Sequence, residues 1–394
     1  MTREEALAQK ARREKEARLA AESRELAKGP IDMPFFLLVM LLVGIGLVML
    51  FSASFPRAYY KGLNPAHYLL RQGAFAAVGT AAMLFVGKIN YHRFRAFAKL
   101  GLLVAIVLLI LVLIPGIGQT RNNATRWIGI GDVLTFQPSE VAKAAVVLYF
   151  SDSISKKKDR MRTLRYGIAP YALILVVIAA LMMLEPHLSG TVLILGAGAI
   201  LMLVGGIGWG WVFAALGAVG AVGYLIIGVV GYGSSRIAMW RDPWIDQLGD
   251  GYQMVQSLLS IGSGGLLGVG LGKSRQKFQY LPEEYNDFIF AIICEELGLI
   301  GAAVIMILFA ALILRGYWIA LNARDRFGSL LVVGFTSLIA MQTFLNIGVV
   351  TGLVPATGIS LPFFSYGGTA LLMQLAEMGV ILSVSRQMKP TKNG

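Results

Sequence analysis

"YLPEEYNDFIFAIICEELGLIGA", residues 280–302, opens on a proline and two acids and runs into an apolar stretch that continues as "AVIMILFAALIL" to residue 314. An apolar run of that length suits a bilayer-crossing helix, and its length separates it from a buried strand. Five carboxylates, Glu283, Glu284, Asp287, Glu295 and Glu296, lie at its mouth and in its body. Acid at such a place is costly in lipid, so each of these side chains needs a reason.

The rest of the chain repeats the apolar pattern. Of 394 residues, 56% are hydrophobic and 14% charged, and spans are expected at about 34–54, 68–87, 97–116, 138–150, 167–184, 188–206, 209–231, 287–314, 328–350 and 365–385. The reading is an all-α polytopic membrane protein with about ten transmembrane helices. The runs are continuous and not alternating, which excludes a strand barrel. The fourth span is short and carries Glu140 and Lys143.

Charge sets the orientation. Arg3, Lys10, Arg12, Arg13, Lys15, Arg18, Arg24 and Lys28 precede the first span. Lys88, Arg93, Arg95, the run "KKKDRMRTLR" (156–165), Arg315, Arg324, Arg326, Arg386 and Lys389 fall on the same side if the spans alternate. By the positive-inside rule that side is cytoplasmic, and both termini lie there. The formal charge of +13 is thus mainly a topology signal, and no nucleic-acid partner is expected. The chain divides into a charged cytoplasmic segment (1–33), a membrane domain (34–387) with a large extracytoplasmic loop at 232–286, and a cytoplasmic tail (388–394). Interleaved charges in the first segment suit a solvated helix or a disordered tail. The apolar run after it is too long for a signal-peptide core.

Cysteine and histidine contribute little. Cys294 is the single cysteine, which leaves no disulfide framework, and His67, His92 and His187 lie on separate segments. The glycine run "GSGGLLGVGLGK" (262–273) is a weak nucleotide signal and is better read as a close-packed re-entrant turn. A loop as long as 232–286 is functional or disordered, and Trp240, Trp244, Tyr252 and the run Leu258–Ile261 favour a packed or interface-lying segment.

Three blocks carry a family resemblance: "ATRWIGIGDVLTFQPSEVAK" (124–143), "QSLLSIGSGGLLGVGLGKSRQKFQYLPEEYNDFIFAIICEELGLIG" (256–301) and "NIGVVTGLVPATGISLPFFSYGGTALL" (346–372). In this order they resemble the SEDS family, the shape, elongation, division and sporulation proteins, and the likeness runs from residue 34 to the end. The wording "GVGLGKSRQKFQYLPE" and "NIGVVTGL" is closer to the FtsW-like division and sporulation branch than to RodA. The resemblance implies a GT-C-like ten-span bundle in the bacterial cytoplasmic membrane. It implies polymerisation of lipid II at the outer face with release of undecaprenyl pyrophosphate. It further implies a class B penicillin-binding protein as partner, other divisome or elongation membrane proteins around it, and a divalent cation, Mg or Mn, as a possible cofactor. Nothing in the residues shows that cation, and no nucleotide motif appears.

The chemistry so implied needs one base to take a sugar hydroxyl proton and positive charge to stabilise a departing pyrophosphate. Asp287, the acid of the family's "DFIFA" block, is expected to be that base; its alternative is a helix-start carboxylate favoured by the dipole. Glu295 lies eight residues on, about 12 Å deeper, and Glu296 about 180° around the helix from Asp287. Both are expected to pair structurally. Glu284 is expected at the water boundary, and Glu283, the acid of "LPE", to edge the site. Arg236, Arg241, Lys273, Arg275 and Lys277 are candidates for the leaving group or for anionic headgroups. Glu140 and Lys143, three apart, are near enough to pair and either line the cavity or fix its shape. Ser365, Tyr366, Gly367 and Gly368 are candidates for contacts to sugar or phosphate. Asn286, Thr369 and His187 depart from commoner family wording, and His187 is given no role. A lipid II flippase or a non-catalytic scaffold for the crosslinking partner are the alternatives, and neither needs a base at the outer surface.

Overall fold

The first apolar run shows how the sequence sets its helices. Asp32 caps α1 (Met33–Tyr60) by accepting from the Phe35 N–H at 2.9 Å, with Pro34 in the first turn where a missing N–H costs nothing. The Arg315 guanidinium, from the far end of another helix, closes on the same carboxylate at 3.0 and 2.7 Å. The computed structural model describes residues 29–121, 124–130, 134–214, 217 and 234–388.

In chain order the helices that follow are α2 (His67–Lys88), α3 (Phe94–Val112), α4 (Pro138–Lys157), α5 (Ala169–Leu184), α6 (Leu188–Val204), α7 (Ser234–Arg241), α8 (Tyr252–Gly264), α9 (Ile289–Leu321), α10 (Arg326–Val350) and α11 (Gly368–Ser385). Among the described residues, seven helices are long and apolar enough to cross a membrane, and α6 is a shorter apolar helix. The expected seventh span, 209–231, lies mostly outside the described residues; each of the other nine expected spans is a helix. The packed centre is formed by α4 and α10, whose buried faces carry Ala142, Val146, Phe150, Leu331, Phe335 and Leu338. Leucines and valines on the outer faces of α1, α3, α5 and α9 stay exposed, as lipid contact requires.

One region departs from an all-helical reading. Between α3 and α4 lies a three-stranded antiparallel sheet of β1 (Gly118–Arg121), β2 (Ala124–Ile130) and β3 (Leu134–Phe136), with Thr120 opposite Thr125 and Ile128 opposite Phe136. An open sheet edge of this kind needs water, which lipid does not supply. Thr369 Oγ1 at the start of α11 donates to the Thr135 carbonyl at 3.1 Å and ties the sheet to the bundle.

Two helix starts also move. α9 begins at Ile289, so Asp287 sits in the turn before it, and α11 begins at Gly368, so Ser365–Gly367 precede it. Within α9 the chain kinks at Gly298, at φ 67°.

Candidate active site

The turn that carries Asp287 is pinned from three sides. The Asn286 and Phe288 N–H groups both donate to the Glu283 carbonyl, Ser365 Oγ donates to the Asn286 carbonyl at 2.7 Å, and the Tyr366 N–H donates to the Tyr285 carbonyl. Asn346 of α10 donates its amide to the Asp287 carbonyl at 2.7 Å and to the Ile359 carbonyl at 2.6 Å. One turn earlier on α10, Gln342 donates to the Ser360 carbonyl at 3.0 Å. Together these amides hold the 358–360 backbone against the acid. Gly358, at φ +64°, passes so close that a side-chain carbon there would sit 3.2 Å from Asp287 Oδ2.

Asp287 faces a cavity of about 990 Å³ at the end of the bundle that carries the sheet. Glu283, Glu140, Lys143, Tyr366, Gly367 and Gly368 line it with Asp287. Burial, with the nearby Glu283 charge, pushes the Asp287 carboxyl up to about 6, against the pull of Arg126. Lys143 Nζ meets Glu140 Oε2 at 2.8 Å on the cavity wall.

The cavity is also lined by Arg57, Lys61, Arg71 and Arg126, none of which sequence reasoning selected. A signal was available: by the positive-inside rule the segments expected outside carry few cations, so those in them stand out. Arg126 comes from β2, and its guanidinium donates to the Glu185 and Pro186 carbonyls in the turn between α5 and α6. In that turn burial raises the Glu185 carboxyl to about 8, against the pull of Arg126. His187 lines the wall as a neutral imidazole: burial lowers it to about 3, helped by Arg126 and Lys143, and Gln137 and Ser139 lie at 3.1 and 3.3 Å from Nε2.

The other selected residues are placed elsewhere. Lys277 is 2% exposed and bonds Glu296 Oε1 at 2.8 Å and Ser52 Oγ at 3.1 Å, so it is not free to meet a leaving group. Glu295 accepts from the Arg275 N–H at 2.8 Å, from Ser260 Oγ at 3.2 Å and from Ser274 Oγ at 2.5 Å. Lys273 and Arg275 are exposed on the loop between α8 and α9, and Arg236 and Arg241 lie on or at the end of α7; none of the four lines the cavity. Ser365 is buried behind the Asp287 turn. Glu284, expected at the water boundary, is 1% exposed with Arg57 at 3.6 Å, and burial raises it to about 7.

A multi-pass helical membrane protein with a cation-lined cavity around the raised Asp287 carboxylate is the class this geometry defines. The chain belongs to the FtsW/RodA/SpoVE family of cell cycle proteins, whose family model matches residues 32–390. It is 42% identical to stage V sporulation protein E of Bacillus subtilis, over 90% of this chain and 97% of that protein. It is 40% identical to a probable peptidoglycan glycosyltransferase FtsW of Geobacter metallireducens, over 91% of this chain and 96% of that one. Among solved structures it is similar to a chain from a peptidoglycan synthase complex that coordinates polymerization and crosslinking, with a TM-score of 0.78, 26% identity and coverage of 92% and 99%. The rod shape determining protein RodA of Thermus thermophilus is similar at a TM-score of 0.67 and 27% identity, covering 92% of this chain and 99% of that one.

Proposed function

We infer that the chain is a peptidoglycan glycosyltransferase of the division and sporulation branch, which polymerises lipid II at the outer face of the bacterial cytoplasmic membrane. The observation that carries the mechanism is Asp287, with its carboxyl near 6, on the wall of a cavity lined by Arg57, Lys61, Arg71 and Arg126. A sugar hydroxyl gives its proton to Asp287 as its oxygen bonds the anomeric carbon of the neighbouring donor. The bond from that carbon to the diphosphate breaks, and undecaprenyl pyrophosphate leaves with the electron pair. A base poised near neutral pH suits that proton transfer, and fixed guanidinium groups stabilise the leaving charge better than water does. Arg126 is oriented by the backbone carbonyls of Glu185 and Pro186.

A divalent cation fits the residues present. Mg or Mn is commonly held by one or two carboxylates together with substrate phosphates, and Asp287 and Glu283 supply two carboxylates to one cavity. Such an ion would neutralise charge on the diphosphate. The partner we assign is a class B penicillin-binding protein that crosslinks the product, with other divisome or elongation membrane proteins around the pair. The likeness to a member of a synthase complex that couples polymerization to crosslinking supports this assignment.

The decisive experiment supplies purified lipid II to the purified protein, with and without its partner and with no nucleotide. Glycan strands are the expected product. Lipid II that is bound or moved between leaflets without polymerisation would overturn the enzyme reading in favour of a flippase, and an inert protein that only activates its partner would favour a scaffold.

A further inference from the structure

Two charged rungs between α1 and α9 serve as a ruler for the membrane. At the cytoplasmic end Asp32 and Arg315 pair at 2.7 Å, and at the other end Ser52 donates to Glu296 at 2.7 and 2.8 Å with Lys277 closing the group. Along each helix the rungs are about 20 residues apart, which is about 30 Å and matches the hydrocarbon thickness of a bilayer. The Ser52–Glu296 rung therefore marks the outer edge of the hydrocarbon.

The segment after α8 crosses that edge. Val269 and Gly270 donate their N–H groups to the Glu295 and Glu296 carbonyls, and the Leu299 and Ile300 N–H groups donate to the Gly265 and Leu266 carbonyls. These bonds bring Leu266 level with Ile300, about 6 Å inward of Glu296 at ~1.5 Å per residue. Backbones approach this closely only because Gly268 and Gly298 face each other, where a side chain on either would strike the other's main chain. The run "GGLLGVGLG" (264–272) has no polar side chain. Leu266 and Leu267 are 67% and 79% exposed and continue the exposed face of α9 at Leu299, Ile300 and Ile307. Lys273 and Arg275, both exposed, follow within one turn.

We propose that α8 and residues 265–275 form a re-entrant hairpin that inserts Leu266, Leu267 and Leu271 into the acyl region of the outer leaflet and sets Lys273 and Arg275 among its headgroups. The occupant of this face is lipid. Two observations decide that: the hairpin surface runs without a break into the lipid-facing side of α9, and its apolar tip and basic flank follow the order of acyl chain and anionic headgroup. The backbone bonds to α9 supply the internal satisfaction that non-helical chain needs at membrane depth. Part of the loop expected to be extracytoplasmic is thereby a membrane anchor beside the Asp287 end of α9. This inference does not depend on the polymerase reading.

The test places a fluorophore on Leu267→Cys, and separately on Leu271→Cys, in a Cys294→Ala background, with Asp250→Cys on the exposed outer loop as control. In nanodiscs with doxyl-labelled lipids, both hairpin positions should be strongly quenched by lipid and several-fold less by aqueous iodide than position 250. Iodide quenching equal to that of the control would overturn the insertion. Protection from both quenchers would also overturn it, in favour of a covering protein, and light scattering on the same sample would show whether that is a second copy.

Discussion

Two groups of charged and polar residues near the start of α9 end in opposite conditions. Around Glu295 and Glu296, one lysine, three serines and two backbone N–H groups close on two carboxylates, with Lys277 2% exposed. Around Asp287 the amides of Asn346 and Gln342 go to backbone carbonyls, Asn286 Nδ2 goes to Glu283 at 2.6 Å, and the Asp287 carboxyl itself faces the cavity. The first group spends its donors on its own acids and so holds helices and hairpin together. The second spends the amides of Asn346 and Gln342 on the scaffold and leaves the Asp287 carboxyl directed at a space a substrate can fill. Charge in a membrane is expensive in both places, and what separates structure from chemistry is where the donors point.

The sharpest break in that contrast is Asp287→Asn. The swap is nearly isosteric, and the turn is held through backbone and neighbouring side chains, so fold and membrane insertion should survive. Loss of a general base predicts a fall of roughly 10²–10⁴-fold in polymerisation rate. With the carboxyl near 6, the wild-type rate should rise with pH through about 6, not about 4. Stability responds in the other sense: the burial cost of the ionised form is full above about 6 and is relieved as pH falls below it. A rate flat between pH 5 and 7, or near wild-type turnover by Asp287→Asn, would remove the base assignment.

Lys277→Met probes the closed group. It leaves Glu296 without its cation, and breaking one partner of a buried pair costs roughly 3–5 kcal/mol. A large drop in melting temperature is expected, with partial recovery when Glu296→Gln is added. If Lys277 served the leaving group instead, the single variant would melt like wild type and fail only in turnover.

How much of this was legible in the sequence follows from the same contrast. Apolar length gave nine of the helices, because it is a local property of the chain. The family blocks drew Asp287, Glu140, Lys143 and Tyr366 toward one site. Arg126 was not selected because its role depends on a three-stranded sheet, whose short, glycine-bearing strands between Gly118 and Phe136 carry little periodic signal, and on a turn some sixty residues away. Lys277 was misread for the converse reason: a cation eighteen residues beyond Leu259 in a long loop looks solvated until the hairpin returns it to Ser52 and Glu296.

The smallest expected effect sharpens the boundary of the open group. Lys273→Ala with Arg275→Ala removes two exposed cations while keeping the Arg275 backbone N–H that Glu295 uses. Surface changes of this kind stay within about 0.5 kcal/mol, about twofold in rate. Arg126→Ala removes a cation fixed on the cavity wall, and losing a charge-assisted contact of roughly 1.5–3 kcal/mol predicts a fall of about tenfold or more in kcat/KM. The double variant should melt close to wild type and Arg126→Ala, which also gives up its bonds to the Glu185 and Pro186 carbonyls, somewhat lower, so a steady-state comparison on lipid II well below both melting temperatures isolates the chemistry. Equal losses from the two would mean that the leaving group reaches past the cavity to the outer loop, and the line drawn between the closed and the open charges would have to move.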